Sequence, residues 1–255
     1  MDPAVTGLAT FAVTSCAVLL GAWLHRALPE AHLADASKDT IKAAVGFIAT
    51  MTALVLSLVT ASAKTSFDEV ATAVKHSAVE ILALDRALGR YGDEAADLRV
   101  RLKGVVATTI ATRWPEDARP TGAASAVRSD AATVPEHLGE SIRALVPRNE
   151  AQRALQGRSL ELAESLLQAR WVAVAAAAPS VPLPFLVVLL FWLAVTFTSY
   201  GMFAPRNATV VTMLLLCSAS VAAALFLVLE MDSPFHGLLR VSADPLRHAL
   251  ERIGQ

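Results

Sequence analysis

Gly46, Thr50, Ala53, Ser57, Thr60 and Lys64 recur at steps of four and three within one apolar stretch. On a helix that spacing sets all six on one face. Small and hydroxylated side chains on such a face admit two readings. They let helix backbones approach closely and hydrogen-bond across, as in ordinary membrane packing. Repeated around the axis of an oligomer, they make a narrow, mildly polar wall that replaces part of an ion's hydration, with Lys64 at its mouth. The neighbouring Val55, Leu58 and Val59 would then supply a constriction that gates by dewetting.

Two acids stand at another apolar boundary, in Leu229-Glu230-Met231-Asp232-Ser233-Pro234-Phe235. Carboxylates there are costly if buried unpaired, so Glu230 and Asp232 read either as a solvated helix end or as a vestibule or cation site. Arg240 lies near enough in the chain to neutralise either one. In the turn Tyr200 to Asn207, the aromatic side chains suit headgroup depth, and Arg206 suits an anion or a lipid phosphate. His25, Glu30, His32 and Asp35 share one short loop, where solvation is the ordinary outcome, and no metal is assigned. There is no glycine-rich phosphate loop, no nucleophile elbow and no His/Glu pair at metal spacing on one helix. An enzyme is therefore not expected, and no cofactor is implied.

The elements that carry these residues are set by charge-free windows. Pro3 to Leu24, Ala43 to Ala63 and Asn207 to Leu229 hold no charged side chain. Each exceeds the roughly 20 apolar residues that span a bilayer core as helix. A longer uncharged run between Arg170 and Arg206 is broken by Pro179, Pro182 and Pro184, so a span begins near Leu183. The expected spans are residues 4–24, 43–63, 183–203 and 208–229. They form two hairpins, 1–63 and 181–230, with a segment 64–180 between them and a tail 231–255. The expected fold class is an all-α membrane protein, in keeping with 55% hydrophobic residues and a mean hydropathy of +0.50. No basic residue precedes the first stretch and its apolar run outlasts a secretory signal's, so it reads as a retained helix. Cys16 and Cys217 both fall inside spans, where they act as small apolar residues. A net charge of -1 gives no reason to expect nucleic acid as a partner.

Four spans put both termini and the central segment on one face, and a slight excess of Lys and Arg near the membrane makes that face cytoplasmic. The central segment reads as helices. Phe67, Val70, Val74, Ser77, Ile81, Leu84 and Leu88 form a seam running on from the second span, which ends at Tyr91-Gly92-Asp93. A helix from about Glu94 to Arg113 carries Leu98, Leu102, Val105 and Thr109 on one side and stops at Trp114-Pro115. Residues 116–135 read as a loop. Helices resume at 135–146 and 149–178, the latter burying Leu155, Leu162 and Leu166. So few helices promise a thin core, with exposed seams that pack on each other and on neighbouring subunits.

Gly46-Phe47-Ile48-Ala49-Thr50-Met51, Thr60-Ala61-Ser62-Ala63-Lys64, Ser66-Phe67-Asp68, and Leu84-Asp85-Arg86 with Tyr91-Gly92 together resemble the bacterial bestrophin-like membrane family. The Phe203-Ala204-Pro205-Arg206-Asn207 turn and the stretch Leu229 to Phe235 resemble its C-terminal signatures. The resemblance implies four spans with cytoplasmic helices, as in bestrophin channels, which are pentamers conducting ions through a pore lined by the second span. It further implies an oligomeric ion channel in a bacterial inner membrane, with lipids and inorganic ions as partners. A non-conducting membrane scaffold or stress-response adaptor, binding a partner through its cytoplasmic helices, is the competing expectation.

Overall fold

A computed structural model describes residues 2–27, 29, 35–115, 134–175, 182–205, 207–235 and 237–255. Among them every regular element is a helix. These are α1 (Pro3–Ala27), α2 (Asp35–Tyr91), a short 3-10 turn (Asp93–Ala95), α3 (Ala96–Arg113), α4 (Val134–Arg143), α5 (Glu150–Ala175), α6 (Leu183–Phe203), α7 (Ala208–Met231) and α8 (Asp244–Arg252). Four of them, α1, α2, α6 and α7, are long and apolar enough to cross a membrane. The chain is an all-α membrane protein. It divides into two compact units, Met1–Ser66 with Pro179–Ser233, and Phe67–Ala178 with Pro234–Gln255. The division falls inside α2, which runs unbroken for 57 residues.

In the first unit α1 packs along both α6 and α7, while α6 and α7 touch each other little. Hairpin order in the sequence suggests the reverse, with α6 and α7 as each other's closest partner. Glycine is the physical reason for the difference. A Cβ on Gly21 would stand 2.0 Å from the Thr198 carbonyl oxygen, and one on Gly201 would stand 2.2 Å from that of Val18. Only bare backbone lets α1 and α6 meet so closely. On α7 the partner is a hydroxyl, as Thr14 and Ser218 share a buried 2.5 Å hydrogen bond. Apolar packing closes around these contacts with Ala17, Val18, Leu189, Leu193, Phe197 and Leu225. The second span joins by Val59 and Ala63, which pack with Leu186 and Val228.

The second unit has a real core. Val70, Val74, Ile81, Leu84 and Leu88 of the expected seam are buried, with Phe67 packed beside them. The seam therefore packs on the unit's other helices, as expected, and these buried positions are not left for a neighbouring subunit. On α3 the buried positions are Leu98, Leu102, Val106 and Ile110, a strict step of four that displaces the expected Val105 and Thr109 by one residue. On α5 Leu162 is buried, and Leu155 and Leu166 pack against the core. The thin core expected from the central segment is thickened by the C-terminal residues. Val241, Ala243, Leu246, Ala249 and Ile253 all enter it, so the tail is part of this unit. Trp114 anchors them, buried, with its Nε1–H donating to the Val241 carbonyl at 2.7 Å and its ring edge-on to Phe235 at 5.3 Å.

Candidate functional site

At about 100° per residue, the apolar part of α2 presents three faces. Val45, Thr52, Val59 and Ala63 are buried and turn toward the first unit's own helices. About 120° round the helix from that seam lies the stripe Gly46, Thr50, Ala53, Ser57, Thr60 and Lys64, and all six are exposed. A large apolar flank completes the circuit, with Phe47, Leu54 and Leu58 exposed.

The stripe is thus not consumed by packing within its own subunit. A Cβ on Gly46 would meet nothing within 4 Å. The Thr50 hydroxyl donates to the Gly46 carbonyl at 2.9 Å, and that of Thr60 to the Leu56 carbonyl at 2.7 Å. With those protons placed along the helix, the oxygen lone pairs face outward. The expected constriction does not assemble. Val59 is buried against Ala63, Leu186 and Val228, and Val55 packs with the same cluster, which leaves Leu58 alone on the exposed surface.

The two boundary acids part company. Glu230 is buried at the end of α7, whereas Asp232, which caps that helix, keeps part of its surface. Each is engaged by a neighbour. Arg240 is exposed in the second unit. Of the loop residues, His25 is partly buried with no hydrogen-bond partner at Nδ1 among the described residues. Glu30, His32, the Asp35 side chain and Arg206 lie outside the described residues. No group of three or more metal-ligating side chains comes together among the described residues.

Three polar contacts of the second unit escape a reading based on apolar period. Arg99 holds Asp85 with Nε and Nη2 at 2.7 and 3.0 Å, and the Gly254 N–H adds a third bond at 3.3 Å. Burial alone would raise the Asp85 carboxyl. The Arg99 and Gly254 hydrogen bonds, with the charges of Arg99 and Arg86, outweigh it and hold the group below the usual carboxylate range. One turn up α2, buried Glu80 accepts from Ser165 and lies 3.1 Å from His76 Nε2. At the end of α3, Arg113 stacks over Phe235 at 5.0 Å. Burial first, then the charge of Arg170, lowers its affinity for the proton. An acid on an otherwise buried helix face, with an arginine on the next helix, was the signal for the first of these.

Comparison with known proteins finds no match among curated proteins and none among solved structures. The family model of the Bestrophin-like domain covers residues 12–246, from the first span through the boundary acids and into α8. With four spans, the signatures on α2 and the α6–α7 turn inside that match, this chain belongs to the Bestrophin-like family.

Proposed function

We propose that the chain assembles into a homo-oligomeric ion channel, with the stripe Gly46, Thr50, Ala53, Ser57, Thr60 and Lys64 lining the pore. The observation that carries this reading is the exposure of the whole stripe on a membrane-spanning helix, away from the seam that packs on its own subunit. Polar side chains at membrane depth face water or protein and not acyl chains. A ring of such stripes supplies both. The outward lone pairs of Thr50 and Thr60, with the exposed Ser57 hydroxyl, would replace part of an ion's hydration, and the apolar flank of Phe47, Leu54 and Leu58 would seat a neighbouring subunit. No catalytic step is required. Lys64 sets the charge at one mouth, and Asp232 is the acid with surface to offer beyond α7. A pentamer is the assembly that the resemblance to bestrophin channels implies. The proposed placement is a bacterial inner membrane, with the second unit and both termini in the cytoplasm, in keeping with the basic excess on that face.

The test is ion flux from purified protein in liposomes, measured for the native chain and for Ser57→Phe and Thr60→Phe. The channel reading expects flux from the native protein and a severalfold fall, or altered selectivity, in both variants. Silent liposomes from a folded oligomer would overturn it in favour of a scaffold.

A further inference from the structure

Near the end of the first unit where α1 and α6 stop and α7 begins, the three helices surround a cavity of about 430 Å³. Val18, Leu19, Val211 and Leu214 make apolar walls, with Trp23 and Arg26 beside them toward the end of α1. Leu19 and Trp23 are well over half exposed, so the opening lies on the outer surface of the unit. The order along α1 matches the layers of a bilayer. Apolar residues run to Leu24, Trp23 stands at the depth where aromatic belts form, and Arg26 lies about one turn beyond. Among the described residues Arg26 makes no hydrogen bond or ion pair and no carboxylate lines the cavity.

We propose that this cavity holds one anionic phospholipid of the surrounding bilayer, its phosphate on Arg26 and the start of an acyl chain between α1 and α7. A soluble anion is a poor fit. A single exposed guanidinium paired in water gains little, and apart from Asn207 and the Trp23 indole N–H the other described side chains of the lining are apolar. A lipid contributes apolar surface as well as charge. A zwitterionic lipid fits less well, since its ammonium would approach Arg26 with no acid among the described lining residues to receive it. This inference needs only the membrane fold and stands whether or not the chain conducts.

The experiment reconstitutes the full chain in vesicles of equal phosphatidylglycerol and phosphatidylcholine, re-extracts it in mild detergent, and counts retained lipid by native mass spectrometry. The expected result is one phosphatidylglycerol per subunit, favoured about tenfold over phosphatidylcholine. Arg26→Gln, at an exposed position, should bring that preference to near parity, and Arg26→Lys should keep most of it. Leu214→Trp, which fills the cavity and leaves the charge, should lose both lipids while circular dichroism shows the helices intact. Equal retention by the native chain and Arg26→Gln would overturn the proposal. So would retention by Leu214→Trp, or displacement of the lipid by soluble glycerol phosphate at matched concentration.

Discussion

Asp85 and Arg99 lie on different helices, yet they share a two-pronged ion pair inside the second unit, and Asp85 is buried there. Because Asp85 releases its proton more readily when folded than unfolded, the pair adds stability above the unfolded value near pH 4. That stability is lost as pH falls through the lower folded value. Thermal melts in detergent should therefore hold level from neutrality to about pH 5 and fall below about pH 4. Asp85→Asn should cost about 3 kcal/mol at neutral pH, because it leaves Arg99 without its counter-charge. It should also flatten the acid limb. A variant that melts like the native chain at both pH values would show the pair to be idle.

At the α1–α6 crossing the tolerance for added volume is close to nil. Gly201→Val should abolish stable packing of the first unit, since even its Cβ would overlap the Val18 carbonyl. Gly21→Ala should do comparable damage at the Thr198 carbonyl. Size-exclusion profiles in detergent should show aggregate for both, whereas Gly157→Ala, in open space on α5, should elute as the native chain does.

Removing the last fifteen residues takes Val241, Ala243, Leu246, Ala249 and Ile253 from the second unit's core, with the acceptor for Trp114 and the third bond to Asp85. The expected loss is on the order of 5 kcal/mol or more, enough to unfold a marginal domain. Limited proteolysis should then cut within α3 and α5, both protected in the full chain.

Neighbouring substitutions on α2 should separate its three faces. Ser57→Phe on the stripe should reduce flux and spare stability. Val59→Ala in the seam should lower stability by about 2 kcal/mol and leave flux per folded oligomer unchanged. Leu54→Ala on the exposed flank should spare the stability of the subunit and, by loosening the seat of its neighbour, lower the oligomeric fraction and total flux with it. If Val59→Ala alters flux as strongly as Ser57→Phe, the assignment of faces is wrong.

The spans were legible because absence of charge over some twenty residues is a crude signal that tertiary packing does not override. The stripe was legible for the same kind of reason, since its period is local. Which way the stripe faces was not. That depends on Val59 and Ala63 finding Leu186 and Val228, residues more than a hundred positions away. The single-residue shift on α3, from Val105 to Val106, has a similar origin. Both positions fit a helical period, and the partners on the other helices decide between them. The tail was hardest to read, because Leu246, Ala249 and Ile253 make an apolar edge too short to announce a domain core. One consequence is that polar changes in the Phe67 to Leu88 seam cannot test a scaffold role, since they would unfold the unit that bears it.

The chief partners of α1 have a bearing on how the protein is made. In synthesis α1 waits for α6 and α7, the first of which begins roughly 150 residues later. At about 5–20 residues per second that is a delay of roughly 8–30 s. During it α1 must sit in lipid carrying four hydroxyls, those of Ser15 and of three threonines. Thr6, Thr10 and Thr14 each donate to a carbonyl one turn back on their own chain. Their protons are satisfied before any partner arrives, so the helix that later locks the bundle is suited to survive alone until then.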